Sequence, residues 1–239
     1  MRGHQGASQI DTGLRSYGRR RGRKPSARQQ VLKREVLPRV AFDPMQFETT
    51  VVSQQASQQV AVEPREIWLE IGFGGGEHLL WQAHQNPNVV CLGCEPFENG
   101  VVKVLDTIER DKLANIRLYM GDARDVLRAL PEAVLARVFI LFPDPWPKKK
   151  HVKRRLVNPS TLSLVARAMK PGAELRIATD IGDYARTMHM ALRGEPQLTW
   201  TAQGPADWRT RPADGCETRY ESKAAREGRR CYYFRFQRR

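Results

Sequence analysis

Short apolar runs alternate with amphipathic segments along the chain from Glu66 onward. Runs rich in β-branched and aromatic residues predict strands, and apolar residues spaced at i, i+3, i+4 and i+7 predict helices. The predicted strands are Ile67–Ile71, Val89–Glu95, Ile116–Met120, Val138–Phe142, Leu175–Thr179, Gln197–Thr201 and Cys231–Phe236. The predicted helices are Glu77–His84, Phe97–Asp111, Ala123–Leu130, Ser160–Met169 and Tyr184–Leu192. We expect an α/β fold in which a central, mostly parallel sheet of seven strands carries helices on both faces.

The segment before the first predicted strand has a different pattern. Residues 1–27 are rich in glycine, serine and arginine and hold few apolar side chains, so we expect them to be disordered in isolation. A short helix is predicted over Arg28–Val36, and residues 41–64 are predicted to form a linker or a loose subdomain. We therefore expect a basic, flexible N-terminal arm and linker over residues 1–60 and one domain over residues 61–239.

Positive charge is concentrated in two places. The formal net charge is +14 and the isoelectric point is about 10.1, which favours a polyanionic partner, above all nucleic acid. Residues 1–39 hold eleven Lys and Arg against two acidic residues, and residues 148–155 hold six cations in eight positions. Such clusters are typical of a nucleic-acid-binding surface.

The four cysteines do not suggest a disulfide framework. Cys91 and Cys94 form a C-x-x-C pair, with Cys216 and Cys231 downstream, so a zinc site is one interpretation. However, residues three apart on the predicted strand Val89–Glu95 point to opposite faces. We therefore favour buried thiols and expect no metal.

Membrane insertion and secretion are not indicated. No stretch approaches the ~20 apolar residues that span a bilayer. The arginine cluster near the start lacks the apolar segment of a secretion signal. We expect a cytoplasmic protein.

A glycine-rich turn follows the first predicted strand, in the order Gly72-Phe73-Gly74-Gly75-Gly76. Glycines let the backbone turn sharply and approach a ligand. The spacing differs from the G-x-G-x-x-G of dinucleotide sites, and Glu70 stands where a pyrophosphate would be repelled. An acidic rim instead favours a cationic ligand such as S-adenosylmethionine, which carries a sulfonium and has no phosphates.

Acidic residues stand at the ends of successive predicted strands. Glu95 ends the second strand, where a carboxylate can accept hydrogen bonds from ribose hydroxyls. Asp122 follows the third strand and can accept from an adenine amino group. Asp144, between Pro143 and Pro145, follows the fourth strand and cannot be helical. Because parallel strands bind ligands at their carboxyl edge, we expect these acids to share one site.

The stretch that begins at Asp144 combines an acid, the flat aromatic Trp146 and the basic run 148–155. A carboxylate and an aromatic ring can hold a nucleic-acid base, and the cations can bind the phosphates of the backbone beside it. The tryptophan can equally be a structural residue behind the loop.

These segments resemble the bacterial tRNA (guanine-N7)-methyltransferases, the TrmB-like family of Rossmann-like class I methyltransferases. The matching segments are Leu69–Gly74, Phe142–Trp146, Lys153–Arg155, Ala178–Asp180 with Tyr184-Ala185, and Thr218–Glu221, together with Arg15–Tyr17 and Arg20–Arg23. The resemblance implies transfer of a methyl group from S-adenosylmethionine to N7 of the variable-loop guanine 46 of tRNA. It implies no obligatory protein partner; whether the protein is a monomer or a homodimer stays open.

The resemblance also implies roles for individual residues. Asp144 is the implied catalytic residue. The implied cofactor-binding residues are Glu70, Gly72, Gly74, Glu95, Asp122 and Asp144. The implied RNA-binding residues are Lys148, Lys150, Lys153, Arg154, Arg155, Asp180, Thr218, Arg219, Tyr220 and Glu221.

The chain departs from the family pattern at Gly75, at Pro147 and at Gly182-Asp183. None of these departures removes a charged residue of the implied site, so we expect an active enzyme. The absence of a histidine or cysteine nucleophile from the motifs agrees with the chemistry, because N7 of guanine already carries a lone pair.

Two other functions remain as alternatives. An NAD(P)-dependent oxidoreductase accounts for the glycine turn and Glu95 but not for the Asp144-Pro145-Trp146 stretch or the basic run. A non-catalytic RNA-binding protein accounts for the charge but not for four acids along one edge.

Overall fold

The sheet and its helices follow the predicted alternation. The computed structural model describes Arg20, Gly22, residues 24–47 and residues 66–239. Its strands are β1 Ile67–Ile71, β2 Val90–Cys94, β3 Ile116–Tyr119, β4 Leu135–Leu141, β5 Met169–Thr179, β6 Leu198–Trp200 and β7 Tyr232–Arg238. Its α-helices are α1 Ala27–Glu35, α2 Leu37–Val40, α3 Glu77–Gln85, α4 Glu98–Asp111, α5 Ala123–Ala129, α6 Pro159–Ala168, α7 Gly182–Gly194, α8 Ala206–Arg209 and α9 Arg219–Arg226. Short 3₁₀ helices cover Pro44–Gln46 and Lys149–Arg154.

The seven strands form one mixed sheet in the order β3-β2-β1-β4-β5-β7-β6. Strands β1 to β5 are parallel, and β7 runs antiparallel to both β5 and β6. The predicted α/β, Rossmann-like fold is therefore confirmed. The strand order reverses between β1 and β4, and such a switch point opens a ligand crevice at the carboxyl edge.

Two hydrophobic clusters cover the two faces of the sheet. One packs β1, β4 and β5 against α5, α6 and α7, and the other packs α1, α3 and α4 against β2 and β3. Cys91 belongs to the second cluster and Cys94 to the first, so the two thiols lie on opposite faces as predicted. Burial, with a contribution from Glu70, raises the pKa of Cys91 to about 12, which keeps the thiol protonated. Over the described ranges, no three potential ligands are grouped as a metal site requires.

Part of the predicted flexible arm is packed on the domain. Ser26 caps α1 in a capping box with Gln29. Leu32 and Val36 are buried against the α4 side, and Phe42 donates its backbone N–H to the Leu118 carbonyl of β3. Residues 27–42 thus pack on the domain, and α1 confirms the short helix predicted over Arg28–Val36. The predicted boundary between residues 60 and 61, and most of the predicted basic entry segment, lie outside the described residues.

The element boundaries near α6 and β5 differ from the prediction. Asn158, not Ser160, caps α6, because its side chain accepts from the backbone N–H of Thr161 at 3.0 Å. Strand β5 starts at Met169, although the pattern predicted a strand only from Leu175. Pairing with β4 jumps from Met169 to Glu174, so residues 170–173 form a bulge around Gly172, whose φ is +80°.

The short helices α8 and α9 were not predicted because they span few residues and hold few apolar side chains. None of the helices within the described ranges has the length and apolar character that crossing a bilayer demands.

Candidate functional site

A cleft of about 470 Å³ opens at the switch point. Its walls come from the turns after β1, β2, β3 and β4 and from the start of α9. The lining residues include Gly72, Gly74, Glu95, Phe97, Asp122, Arg124, Phe142, Asp144, Trp146, Arg154, Arg219 and Tyr220. Most of the predicted cofactor residues therefore meet around one space.

The glycine turn forms the floor of the cleft and packs closely against α4. Gly74 has φ +57° and Gly76, the N-cap of α3, has φ +82°, a region that favours glycine. A Cβ at Gly76 would lie 2.2 Å from Val104 of α4. The turn is thus pressed against α4, and its backbone faces the cleft without side chains in the way.

Glu95 links this turn to α4. One carboxylate oxygen accepts from the backbone N–H of Gly74 at 2.7 Å, and the other accepts from Phe97 at 2.9 Å. Burial raises the pKa of Glu95, with Asp144 adding to the effect, while the two backbone bonds oppose it. Each oxygen keeps a second lone pair, so the group can still accept from ligand hydroxyls.

Asp122 is the N-cap of α5 and is paired with Arg124. Its side chain accepts from the backbone N–H of Arg124 at 3.0 Å and from the guanidinium at 2.6 Å. Burial opposes ionisation, but the bonds from Arg124 outweigh it, so the pKa of Asp122 is lowered. Arg124 was not predicted as a site residue, since the sequence shows no pattern that points to it.

Asp144 stands on a loop with two unusual backbone conformations. Phe142 has φ +51° and Trp146 has φ +42°, which side-chain-bearing residues adopt at a cost of about 1–3 kcal/mol each. Asp144 is exposed at the rim of the cleft, although the cleft walls remove enough water to raise its pKa by burial. The surrounding structure must hold the loop in these conformations, and the loop so held places this carboxylate at the mouth of the cleft.

The start of α9 closes the opposite wall. The ring of Tyr220 lies parallel to that of Phe142, with centroids 6.2 Å apart, and the Arg219 guanidinium lies 5.0 Å from the centre of the Tyr220 ring. A Cβ at Gly74 would meet Arg219 Nη2 at 3.1 Å. The predicted RNA-binding residues Arg219 and Tyr220 therefore line the same cleft as most of the predicted cofactor-binding residues.

The basic run begins beside this cleft and is mostly open to solvent. Lys148, Lys149, Lys150 and Lys153 are exposed, and none of their side chains is paired with a carboxylate in the part of the chain that the structure describes. Arg154 lines the cleft, with its guanidinium 5.0 Å from the centre of the Trp146 ring.

Comparison with known proteins identifies the family. The model of the family described as "Putative methyltransferase" matches residues 64–234. A tRNA (guanine-N(7)-)-methyltransferase of Rhodospirillum rubrum is 44% identical over 94% of this chain and 88% of its own length. That of Caulobacter vibrioides NA1000 is 45% identical over 88% of this chain and 89% of its own length. The chain belongs to the tRNA (guanine-N(7)-)-methyltransferase family.

Solved structures share the fold at low sequence identity. The antibiotic-resistance methyltransferase Kmr aligns with a TM-score of 0.52 and 14% identity over 83% of this chain and 94% of its own. A 30S ribosomal A1408 methyltransferase from an uncultured bacterium aligns at 0.51 and 14% over 83% and 95%. These likenesses concern the fold alone.

The Glu70 side chain does not line the cleft, so the structure does not bring it together with the other predicted cofactor-binding residues. It is 4% exposed and bonded to His78 Nδ1 at 2.7 Å, and His78 Nε2 lies 3.1 Å from Gln82. Strand alternation explains the placement, since Ile71 is the β1 residue that reaches the cleft. Glu70 holds α3 on the sheet.

Thr218 and Glu221 form the capping box of α9 and do not face solvent. Glu221 N–H donates to Thr218 Oγ1 at 3.3 Å, and Thr218 N–H donates to Glu221 at 2.8 Å. The Tyr233 hydroxyl also donates to Glu221 at 2.7 Å. The structure therefore places these two predicted RNA-binding residues in the cap of α9, next to Arg219 and Tyr220.

Two more predicted RNA-binding residues are engaged inside the protein. Asp180 pairs with Arg229 at 2.7 Å. Arg155 is 4% exposed, so the structure does not place it with the other cations of the basic run: its side chain points inward while its lysine neighbours face solvent.

Proposed function

We propose that this protein transfers the methyl group of S-adenosylmethionine to N7 of a guanine in tRNA, and that the target is the variable-loop guanine 46. The observation that carries the proposal is the meeting of Asp144 and Trp146 with the glycine turn, Glu95 and Asp122 around one cleft. Near-full-length identity of 42–45% to proteins named for this reaction supports it. The position 46 assignment rests on the family resemblance.

The cleft suits the methyl donor. Its volume of about 470 Å³ falls within the range of small-molecule sites. Glu95 and Asp122 supply acceptors for ribose hydroxyls and an adenine amino group, and bare backbone at Gly72 and Gly74 admits the amino-acid end. When bound, the cofactor supplies a methyl group on a positively charged sulfur.

The reaction needs no general base in the cleft, whose residues act by orienting the acceptor and by stabilising the charge that develops on it. N7 of guanine attacks with its own lone pair, so no group must remove a proton first. The guanine ring gains positive charge as the methyl arrives, and the Asp144 carboxylate at the cleft mouth can stabilise that charge. Correct alignment of two bound reactants can supply several kcal/mol of the barrier reduction.

The basic run suits the backbone of tRNA. Lys148, Lys150 and Lys153 extend from the same loop as Asp144 and face solvent. Phosphates bound there would lie beside the mouth of the cleft. We further propose that the protein acts in the cytoplasm without an obligatory protein partner, as a monomer or a homodimer.

A matched pair of tRNA transcripts tests the proposal. One carries guanine at position 46 and the other carries 7-deazaguanine there, which lacks only the N7 lone pair. We expect methyl transfer from labelled S-adenosylmethionine to the first transcript and none to the second. Equal labelling of both would refute N7 of that guanine as the acceptor.

The two alternative functions are tested in the same protein preparation. A thermal-shift comparison of S-adenosylhomocysteine with NADH should show stabilisation by the first ligand alone. Stabilisation by NADH alone would favour the oxidoreductase. Strong tRNA binding with no methyl transfer and no S-adenosylhomocysteine binding would favour a non-catalytic RNA-binding protein.

A further inference from the structure

The buried guanidinium of Arg155 connects three parts of the chain. Its Nε donates to the backbone carbonyl of Pro145 at 2.8 Å. Its Nη1 donates to Thr187 Oγ1 at 2.9 Å, and its Nη2 donates to Asp183 at 2.7 Å. The guanidinium also lies 4.6 Å from the centre of the Tyr184 ring. All three of its nitrogens therefore bind within the protein, and a phosphate has no access to them.

The carbonyl that Arg155 holds lies at the centre of the Asp144 loop. Pro145 directly follows Asp144 and precedes Trp146, whose left-handed conformation must be stabilised by its surroundings. Proline has no backbone N–H, so Pro143, Pro145 and Pro147 cannot tie this loop down by donating. A bond to the Pro145 carbonyl is one of the few ways to fix the loop from inside.

The other end of the connection is the first turns of α7. Asp183, Tyr184 and Thr187 all belong to this helix, and the Tyr184 hydroxyl accepts from the backbone N–H of Val157 at 3.2 Å. The segment that carries Arg155 is thus anchored on α7 at two points. Because α7 packs against the core of the sheet, it gives the loop a rigid support.

We propose that Arg155 is a positioning residue that holds Asp144 and Trp146 at the cleft by connecting the Pro145 carbonyl to α7. It acts through the loop and touches neither RNA nor cofactor. The part that concerns catalysis rests on the proposed function. A lysine could not replace it fully, because an ammonium lacks the planar fork that reaches three acceptors at once.

Asp183 completes the connection from the solvent side. It occupies the Gly182-Asp183 position at which the sequence departs from the resembled family pattern, and its side chain is 66% exposed. The hydrogen bond from Arg155 lowers the pKa of Asp183, so the partner stays ionised. Exposure makes Asp183 a safe position for mutation: its replacement by asparagine removes the carboxylate charge that pairs with Arg155, keeps one amide oxygen as an acceptor, and does not open the core.

Three variants test the proposal: Arg155→Met, Arg155→Lys and Asp183→Asn. Because the loop lines the cofactor cleft, we expect the S-adenosylhomocysteine affinity measured without RNA to fall several-fold in Arg155→Met and less in Asp183→Asn. We expect kcat for tRNA methylation to fall at least about tenfold in Arg155→Met, since a 1 Å misplacement can cost roughly a hundredfold. Compared with Arg155→Met, Arg155→Lys should recover part of the S-adenosylhomocysteine affinity and part of kcat.

The salt dependence of tRNA binding separates positioning from phosphate contact. The slope of log affinity against log salt should stay at the wild-type value in all three variants. The matched control is Lys153→Met in the same run, which should reduce the slope by about 0.7–0.9 and leave the S-adenosylhomocysteine affinity unchanged. The double variant Arg155→Met/Asp183→Asn should be no worse than Arg155→Met alone, because the two residues form one connection.

Wild-type cofactor affinity in Arg155→Met or Asp183→Asn, together with a reduced salt slope, would overturn the proposal in favour of a phosphate contact. If Arg155→Met does not fold, Asp183→Ala, which removes the acceptor as well as the charge, decides, and an unchanged cofactor affinity there refutes the connection. Failure of the wild-type protein to methylate tRNA would reject the proposed function alone, because the cofactor measurement needs no RNA.

Discussion

The acidic side of the cleft and the basic run beside it leave the same edge of the sheet but are built differently. Glu95 and Asp122 are held by backbone N–H groups at 2.7–3.0 Å and are largely withdrawn from solvent. Lys148, Lys150 and Lys153 are exposed, on a short 3₁₀ segment or next to it. A small ligand needs hydrogen-bond acceptors at fixed positions, whereas a polyanion is attracted by exposed cationic side chains that can adjust to its phosphates. We therefore predict that mutations on the acidic side change the affinity for the cofactor, whereas mutations in the basic run change the binding of tRNA.

The largest effect should come from Asp144, which stands between the two sides. We expect Asp144→Ala to lower kcat for tRNA methylation by at least about a hundredfold, because the variant lacks the charge that stabilises the transition state. The melting temperature should stay near wild type, since an exposed rim carboxylate contributes little to the core. Methyl-transfer assays and thermal unfolding measure the two quantities. Wild-type turnover would remove Asp144 from the mechanism.

A change on the acidic side should weaken the cofactor alone. We expect Glu95→Gln to lower S-adenosylmethionine affinity about tenfold or more, because an amide cannot accept from the N–H groups of both Gly74 and Phe97, and an unpaired buried donor costs ~1–3 kcal/mol. Calorimetry measures the affinity. Asp106→Asn, on the outer side of α4, is the control. Weaker tRNA binding by Glu95→Gln at zero cofactor would contradict the separation of the two sides.

A change on the basic side should weaken tRNA alone. Replacing Lys148, Lys150 and Lys153 with Gln should reduce the log–log salt slope of tRNA binding by about 0.7–0.9 for each phosphate that the variant no longer binds. S-adenosylhomocysteine affinity should not change. Filter binding across a salt series measures the slope.

The N-terminal helices provide a charge-matched control for that triple variant. Arg28, Lys33 and Arg39 are paired with Asp106, Glu98 and Glu109 of α4. Because these cations are already neutralised, replacing all three with Gln should change the salt slope less than the lysine triple does, while lowering thermal stability. An equal change in slope would show that charge, wherever it lies, is enough.

The smallest effect concerns pH. Burial raises the pKa of Glu95 and of Asp144, so each carboxylate becomes protonated at a higher pH than usual. Their attraction for a sulfonium is full above the raised pKa and disappears as the pH falls through it. We therefore expect S-adenosylmethionine affinity to decline more than S-adenosylhomocysteine affinity when the pH is lowered from about 8 to about 5. Parallel curves for the two ligands would show that the carboxylates do not act on the sulfonium charge.

The strands were predictable where apolar patterning alone determines them. Strand β1 was predicted at its observed bounds, because Ile67–Ile71 is a compact apolar run that ends at a glycine. The start of β5 was not, since Pro171 and Gly172 indicate a turn and nothing local shows that β4 pairs beyond them. Helix α9 is short and holds few apolar residues, yet Thr218 and Glu221 three residues apart are a capping-box signal that could have located it.

The sequence predicted which types of residue form the site, but it predicted less well the directions in which their side chains point. The strand-end acids Glu95, Asp122 and Asp144 line the cleft because strands of a parallel sheet end at one edge. Glu70 and Arg155 are buried instead. The direction of Glu70 follows from strand alternation, whereas that of Arg155 depends on Asp183, which lies 28 residues away, and the sequence alone does not show which cation of the basic run finds such a partner.

Strand β7 follows β6 in the chain but lies between β5 and β6 in the sheet. During synthesis on the ribosome, the edge of β5 therefore stays open until residues 232–238 emerge, and an unpaired edge invites pairing with other chains. The same strand carries Tyr233, which bonds to Glu221 at the start of α9. A nascent chain thus completes its sheet and the wall of its cleft in one late step. Just before that step the unpaired edge of β5 is exposed, and chaperone binding would then be most useful.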